Sequence, residues 1–272
     1  MRLSRRSVIA LLAIVVFQVV AGSCGYPPDQ ATERKAGPGE PTLQIDHIIW
    51  AVPDLDAGAA YFEKMSGVTP VVGGVHPGRG TRNKLASAGE RMYFEIIAPD
   101  PAQMPFDPAA NPVQAFAHTI SQMPGPEVDM FAFSTPDLEA AAAAGRMLGL
   151  EVVGPTPGQR VTPDGDLIRW SHVDFLGHDF GQFIPFAINW LDSVHPSTSS
   201  PAGAVIEGVT VEHPRAAELR AIYKALGVPA TVVEADEPVI IVHMSSAKGP
   251  FEVRSGKSLL DYYRARDNSN IK

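Results

Sequence analysis

The strongest constraint on how this chain folds is an internal repeat. Residues 45–55 and 128–138 align without gaps, and residues 206–215 form a weaker third copy. Each copy is rich in apolar, β-branched or aromatic residues and contains a proline at an equivalent place, with spacings of 83 and 78 residues between them. The three prolines are Pro53, Pro136 and Pro214. Self-similarity of this kind predicts one structural unit that is used three times.

The residues after each proline continue the repeat. Proline suits the end of a strand and the start of a helix, and apolar residues then recur at helical spacing, as in Leu55, Ala59, Phe62 and Met65. A glycine that fits a left-handed C-cap ends each helical pattern. These glycines are Gly67, Gly149 and Gly227. Shorter extended segments follow, so that each copy predicts a βαβββ unit.

A single βαβββ unit cannot bury both faces of its sheet, so the units should pair edge to edge. The predicted fold is therefore α+β, with repeated βαβββ units, a curved mixed sheet that forms a cup, and helices outside it. The predicted domains are a first unit with a linker helix at residues 42–125, a second unit with its linker at 126–204, a third, shorter unit at 205–256, and a C-terminal tail at 257–272.

The N-terminal residues differ from the rest of the chain. Arg2, Arg5 and Arg6 precede an apolar run of about fourteen residues, short for a membrane span of about twenty. Residues 1–23 are therefore predicted to be a signal peptide, with the Sec and twin-arginine routes both open. Residues 24–41 lack apolar periodicity and are rich in turn formers, which predicts a disordered tether.

Cys24 is the only cysteine and directly follows small residues at the end of the apolar run. This arrangement resembles a bacterial lipobox, although Ala21 stands where leucine is usual, and simple cleavage is the alternative. Lipidation at Cys24 would place the protein in the cell envelope, with the membrane contacted only through the lipid anchor. Simple cleavage would make it periplasmic or secreted. In either case, cysteine catalysis within the folded part is excluded.

The charge balance argues against nucleic acid as a partner. The formal net charge is −8 and falls to −11 without the three leader arginines, whereas phosphate backbones require a basic surface. A small-molecule ligand is the partner that the composition favours.

Several segments resemble the glyoxalase-like domain family of the vicinal oxygen chelate superfamily. They are IDHIIWAVPDLDAGAAYFEKMSGV, HPGRGTRN, YFEIIAPDP and PFAINW, and the resemblance extends over about residues 43–256. Members of this superfamily include isomerases, lyases, ring-cleaving dioxygenases, epimerases and proteins that sequester antibiotics. The resemblance therefore implies a fold more firmly than a reaction.

The resemblance implies a divalent metal bound by residues of the first and last strands of two paired units. In the first unit these are His47 and Glu95, which suit Zn, Mn, Fe or Ni. In the second unit Met130 replaces the second histidine and Gln182 the second carboxylate, so the implied ligands are His47, Glu95 and Gln182. Glu252 of the third unit would join them only if that unit paired with the first. The alternatives are a structural histidine at position 47 and an edge position for Glu95.

Two further groups of side chains are predicted to bind substrate. The polar loop at residues 73–83 offers His76, Thr81 and Asn83, and the second unit offers Arg169 and His172. Solvated turns and ordinary packing are the alternatives.

Two functions remain open. The first is an exported, metal-assisted lyase or isomerase that acts on a small oxygenated substrate, in which Glu95 either ligates the metal or moves a proton. The second is a metal-free binding or sequestering protein of the same fold.

Overall fold

The computed structural model describes residues 43–162 and 164–270, and for residues 267–270 only the backbone is described. The predicted signal peptide, the tether and Cys24 lie outside these residues. Within them, no helix is long and apolar enough to cross a membrane.

The first unit has the predicted βαβββ order. It consists of β1 (Gln44–Ala51), α1 (Leu55–Ser66), β2 (Val71–His76), β3 (Thr81–Gly89) and β4 (Met92–Pro99). Helix α1 begins where the Asp54 carboxylate accepts a hydrogen bond from the Ala57 N–H, and it ends at Gly67, whose φ of 79° is left-handed. The predicted glycine C-cap is therefore present.

The second unit repeats this order after a short connection. Residues 101–103 and 112–114 form 3₁₀ turns, and α2 (Ala115–Ser121) follows. The second unit contains β5 (Glu127–Ser134), α3 (Leu138–Met147), β6 (Glu151–Val161), β7 (Leu167–Leu176) and β8 (Phe186–Asn189), with a 3₁₀ turn at Gly181–Phe183 before β8.

The two units share one eight-stranded sheet, which we call the cup sheet. Its strand order is β2-β3-β4-β1-β5-β8-β7-β6, and the units meet where β1 and β5 pair antiparallel. The edge strands approach each other, because the Arg160 guanidinium of β6 donates a 2.6 Å hydrogen bond to the Gly73 carbonyl of β2. The predicted curved sheet and its cup are confirmed.

The third unit has the predicted order of elements but a different order of strands. It contains β9 (Ala204–Glu212), α4 (Ala216–Leu226), β10 (Thr231–Val233), β11 (Val239–Ser246) and β12 (Gly249–Arg254). These strands form a separate sheet, the small sheet, in the order β10-β9-β11-β12. Strand β1 lies between its own β4 and the neighbouring unit's β5, whereas β9 lies between its own β10 and β11. The third unit thus covers both edges of its first strand itself.

The hydrophobic core lies on the convex side of the cup sheet. Convex-facing residues such as Trp50, Phe94 and Phe131 form one continuous cluster with helices α1 and α3 and with the inner face of the small sheet. The Tyr223 hydroxyl of α4 also donates a hydrogen bond to the Phe183 carbonyl. The third unit therefore supports the back of the cup and does not add strands to it.

Residues 257–270, for which the sequence predicts only a tail, form helix α5 (Lys257–Asn270). Its first turn is capped from a distant strand, because the Glu127 carboxylate accepts hydrogen bonds from the Ser258 and Leu259 N–H groups at 3.1 and 3.0 Å. Leu259 is fully buried in a cluster with residues of β1, β4 and α2. Helices α2 and α5 therefore close one end of the cup.

Candidate functional site

Two consecutive residues of β1 place polar side chains together on the concave face of the cup sheet. The pairing of β1 with β5 shifts register between Ile45 and His47, which indicates a β-bulge at Asp46. The bulge lets the Asp46 carboxylate accept a 2.7 Å hydrogen bond from His47 Nδ1. Both side chains are almost completely buried. Because Nδ1 is engaged with a carboxylate, the ring is oriented so that Nε2 is the nitrogen left for a ligand.

Asp46 also anchors two groups from the C-terminal part of the second unit. The Trp190 indole N–H donates to both carboxylate oxygens at 3.1 and 3.0 Å, and His195 Nε2 lies 3.3 Å from Oδ2. Burial alone would raise the pKa of Asp46, but the hydrogen bonds from His195 and His47 outweigh it and lower the pKa to about 2. Asp46 is therefore an ionised centre that orients both histidines.

The His47 ring is fixed by aromatic neighbours. It stacks on Tyr93, with ring centroids 4.5 Å apart, and meets Phe186 edge-on at 5.5 Å. Tyr93 comes from the first unit and Phe186 from the second, so the two units share this contact.

The second polar group is built around Glu95 in β4. The Glu95 carboxylate accepts a 2.6 Å hydrogen bond from the Asn83 side-chain amide, and the same amide nitrogen lies 3.5 Å from His76 Nε2. His76 Nδ1 in turn lies 2.8 Å from the Thr81 hydroxyl. Chiefly because it is buried, His76 has a lowered pKa, and it is therefore neutral near pH 7. The structure thus brings together the predicted residues His76, Thr81, Asn83 and Glu95.

His47 and Glu95 lie on the same face of the sheet. In the parallel pairing of β1 with β4, His47 is opposite Tyr93 and Ile49 is opposite Glu95. Partners in a pair share a face, and so do residues two apart on one strand. The Asp46–His47 pair and the Glu95 network therefore stand side by side on the cup.

Gln182, the third predicted metal ligand, is not placed with them. It lies in the 3₁₀ turn before β8 and not on the last strand, because Gly181 has a φ of 57° and Pro185 has no N–H to pair. Its side-chain amide donates to the Val128 carbonyl at 3.3 Å, beyond the point where β8 pairs with β5. Gln182 thus extends the ladder of β5 and does not face His47.

The three predicted ligands therefore do not form one coordination site. Across residues 43–162 and 164–266, no three His, Cys, Asp or Glu side chains group in a way that would hold a metal ion. Glu252, the other predicted candidate, lies on the small sheet, where it pairs with His243 and Arg254. The donor set that the resemblance implies does not fit a metal in this structure.

His172 and Arg169, the two residues predicted to bind substrate in the second unit, lie in different surroundings. His172 is half-buried with its ring 6.2 Å from Phe186, and its Nε2 lies 3.3 Å from Asp174. It therefore belongs to the wall of the cup. Arg169 is exposed beside a cleft at the mouth, and its backbone N–H donates to the Ser193 hydroxyl.

The mouth of the cup opens into a cleft of about 720 Å³. Its inner walls include Leu85 of β3, Arg160 of β6 and Ile168 of β7. Leu85 and Ile168 belong to a buried cluster on the cup face that also contains Tyr93 and Trp190. Since Leu85 is opposite Glu95 in the pairing of β3 with β4, the cleft lies next to the polar groups.

A buried acid lies near the end that α5 closes. Asp129 stands at a register shift in β5, and its carboxylate accepts a 2.9 Å hydrogen bond from the Tyr263 hydroxyl of α5. Burial raises the pKa of Asp129 to about 7, although the hydrogen bond from Tyr263 opposes this, and the charges of Glu95 and Glu127 add to it.

Sequence analysis missed Asp46, His195, Trp190, Arg160 and Asp129. Asp46 directly precedes His47, and strand alternation would put it on the opposite face. Trp190 ends the segment PFAINW, but that pattern does not indicate its hydrogen bonds to Asp46. His195, Arg160 and Asp129 reach the cup from a linker, an edge strand and a second bulge, so no local pattern marks them. The composition of HPGRGTRN did reveal the residues around Asn83.

A family model and one solved structure agree with this fold. A family model described as "Glyoxalase-like domain" matches residues 45–227. The structure is similar to a hypothetical protein from Staphylococcus aureus, at 22% identity over 79% of this chain and 87% of that one, with a TM-score of 0.53. A mutant of 4-hydroxymandelate synthase from Streptomyces coelicolor is 18% identical over 79% and 63%, with a TM-score of 0.43. Methylmalonyl-CoA epimerase from Mycobacterium tuberculosis is 22% identical over 52% and 84%, with a TM-score of 0.35. No curated protein matches the chain.

Proposed function

Because this chain belongs to the glyoxalase-like domain family, we propose that it is an enzyme of the lyase or isomerase type. Its substrate would be a small oxygenated molecule bound in the cup, and its reaction would begin with proton transfer. The observation that carries this proposal is the Asp46–His47 pair beside Glu95 on one face of the cup.

Burying ionisable side chains costs free energy of folding, so a buried cluster of them indicates a functional role. Ionisable side chains are placed among aromatic and aliphatic groups, where their desolvation opposes folding. Clusters of this kind, buried next to a cleft, are typical of acid–base sites. On the small sheet, by contrast, the equivalent last-strand carboxylate, Glu252, is exposed.

We assign proton abstraction to Glu95. Its carboxylate would take a proton from a carbon next to a carbonyl group. The electron pair of the C–H bond would form a C=C bond, and the π pair of the carbonyl group would move to its oxygen. Asn83 holds the carboxylate through Oε1 and so directs the other oxygen to the substrate. His47 would act in its doubly protonated form: while Asp46 holds the Nδ1 proton, the Nε2 proton would pass to the carbonyl oxygen of the substrate and later return to Nε2.

The test is hydrogen exchange at the substrate carbon. A panel of small α-hydroxy aldehydes, α-hydroxy ketones and α-keto acids is incubated with the protein in D₂O, and loss of the C–H signal is followed by proton NMR. Glu95→Gln should lower the exchange rate about 100-fold or more, the usual contribution of a positioned base. The matched control is Glu252→Gln, which should leave the rate unchanged. Equal exchange in the wild type and in Glu95→Gln would refute the role of Glu95.

The alternative function, a binding protein without chemistry, is favoured by how tightly the polar groups are packed. His47, Asn83 and Glu95 are each less than a tenth exposed, so a substrate must enter from the cleft. Saturable binding of a panel member with no exchange above the uncatalysed rate would support this alternative.

A metal at His47 and Glu95 remains to be tested. Elemental analysis of purified protein for Zn, Mn, Fe and Ni, compared with His47→Ala, measures it directly. If the wild type contains stoichiometric metal and His47→Ala does not, the chelate hypothesis is restored. Metal content below stoichiometry in both proteins agrees with the donor geometry described above.

We also propose that the protein is exported and lipidated at Cys24, on the sequence pattern alone. Mass spectrometry of the protein expressed in a bacterial host should find Cys24 at the mature N-terminus with an acyl-bearing modification. An unmodified Cys24, or cleavage at another position, would contradict this proposal.

A further inference from the structure

The guanidinium of Arg160 is placed to bind a ligand at the mouth of the cup. In the pairing of β6 with β7, Gly158 is opposite Trp170 and Arg160 is opposite Ile168. Ile168 and Trp170 belong to the cup-face cluster, so Arg160 shares that face. A Cβ at Gly158 would come within 2.3 Å of the Trp170 ring, which shows how closely this wall is packed.

Only part of the hydrogen-bonding capacity of Arg160 is used by the protein. Its Nη1 donates to the Gly73 carbonyl at 2.6 Å, which holds the guanidinium across the opening between β6 and β2. Among the described residues, no carboxylate forms an ion pair with it, and its other N–H groups have no protein acceptor. Its charge is also close enough to the polar groups to contribute to the pKa of His76, after burial, Glu95 and Arg79. Arginine presents several donors in a fork that matches a carboxylate.

The cleft around Arg160 has apolar inner walls and acidic residues at its outer edge. Leu85 and Ile168 form the inner walls of the cleft, and Val72 and Val194 stand at its edge with 58% and 64% of their surface exposed. Exposed apolar side chains gathered around one cleft are a mark of a binding site. Three exposed carboxylates also line the cleft, from Asp164, Asp166 and Asp192.

We infer that the cleft binds a small monocarboxylate that carries an apolar group, with its carboxylate on Arg160 and its apolar part against Leu85 and Ile168. The acidic rim repels ligands of higher negative charge, so phosphate esters should be discriminated against. This inference names the substrate class of the site proposed above and rests on that proposal for its connection to proton transfer.

Isothermal titration calorimetry with four probes tests the inference. The probes are phenylacetate, acetate, benzyl alcohol and phenyl phosphate, titrated into the folded protein near neutral pH. Phenylacetate should bind most tightly, because acetate lacks the apolar group, benzyl alcohol lacks the charge and phenyl phosphate carries about twice the charge. Arg160→Gln should weaken phenylacetate binding about tenfold or more and leave benzyl alcohol unchanged.

Two further variants control for the fold and for charge in general. Arg160→Lys keeps the charge without the fork and should bind phenylacetate with intermediate affinity, which keeps the test usable if Arg160→Gln fails to fold. Arg146→Gln removes an exposed guanidinium from α3, away from the residues that line the cleft, so affinity should change about twofold or less.

Three results would overturn the inference: no saturable binding of phenylacetate, equal affinity in both Arg160 variants and the wild type, or tighter binding of phenyl phosphate than of phenylacetate. Glu95→Gln separates this inference from the proposed chemistry: it removes a negative charge next to the cleft, so it should bind phenylacetate at least as tightly as the wild type while losing proton exchange. Arg160-dependent binding in a protein that exchanges no C–H proton would sustain the ligand class and reject the proton transfer.

Discussion

The cup sheet and the small sheet begin from the same sequence pattern, but the cup sheet buries its pair of histidine and carboxylate and the small sheet exposes it. On the cup sheet, Asp46 and His47 are paired at 2.7 Å with 1% and 4% of their side chains exposed. On the small sheet, His243 and Glu252 are paired at 2.9 Å with 40% and 41% exposed. The residue types and distances are alike. What differs is the second unit, whose strand β5 continues the sheet beside β1, whereas among the described residues no other unit continues the small sheet beside β9.

This comparison teaches that burial by a neighbouring unit, and not the presence of histidine and carboxylate, makes a site from this scaffold. An exposed ion pair contributes little to stability, because solvent screens it and both side chains lose rotamer freedom. The same pair inside the cup is desolvated, so removing one partner leaves an uncompensated group. The predictions below test that difference.

The largest effect on stability is expected at Asp129, the buried acid of the cup. Its pKa rises from 3.8 to about 7 on folding, so the folded state holds a proton that the unfolded chain releases above about pH 4. The stability associated with this carboxyl group is present below pH 4 and is lost as the pH rises to 7, by at most about 4 kcal/mol. Asp129→Asn should therefore raise the free energy of unfolding at pH 7 relative to the wild type, measured by urea unfolding.

The matched control is Asp261→Asn on the exposed side of α5, which should leave this pH dependence unchanged. Equal slopes of stability against pH between 4 and 7 in Asp129→Asn and the wild type would show that Asp129 does not hold its proton in the folded state.

The next effect is expected from breaking the buried pair. Asp46→Asn removes the charge that orients His47 and His195, and we expect a loss of about 3 kcal/mol in the free energy of unfolding near pH 7. Glu252→Gln removes the corresponding charge on the small sheet and should change stability little. If chemical denaturation shows that both variants lose the same free energy of unfolding, burial does not explain the difference between the two sheets.

Acid should act on the same carboxylate more gradually. Because the pKa of Asp46 is lowered from 3.8 to about 2, its contribution is fully present above about pH 4 and is lost as the pH falls towards 2. We expect this loss to be about 2 kcal/mol, and Asp46→Asn should lack it. Urea titrations at several values between pH 2 and 5 measure it. An unchanged acid slope in Asp46→Asn would assign the lowered pKa to another group.

The smallest loss of stability is expected at the glycines that follow the helices, and it should be similar in the cup and in the third unit because both keep this part of the repeat. Gly149 and Gly227 both follow helices with left-handed φ values of 78° and 72°. A Cβ at Gly149 meets no atom within 4 Å, so Gly149→Ala measures backbone strain alone, at about 1 kcal/mol. Gly227→Ala should cost a similar amount or slightly more, because its Cβ would lie 3.3 Å from Leu43. A cost near zero at both sites in thermal unfolding would contradict the strain.

The parts of the structure that follow from local sequence were predictable. Proline, helical spacing and glycine located α1, α3 and α4, and the family resemblance singled out His47 and Glu95 together. The parts that depend on distant residues were not. The bulge at Asp46 arises from pairing with β5, the first turn of α5 is capped by Glu127 some 130 residues earlier in the chain, and Arg160 acts across the gap between two edge strands. Gln182 was predicted on the last strand of the second unit, but Gly181 and Pro185 shift the start of β8 to Phe186, so Gln182 lies in the turn before it.

The short strand β10 has a consequence for how the third repeat associates with its neighbours. In the cup sheet, two repeats associate because the first strand of each leaves an edge that the other can cover. In the third repeat, three residues at Thr231–Val233 occupy that edge, in parallel pairing with Thr210 to Glu212. Over these three residues the main-chain groups of β9 are already paired, so this part of the strand offers no edge to another repeat. The third repeat therefore pairs its first strand within itself, whereas the first two repeats pair theirs with each other.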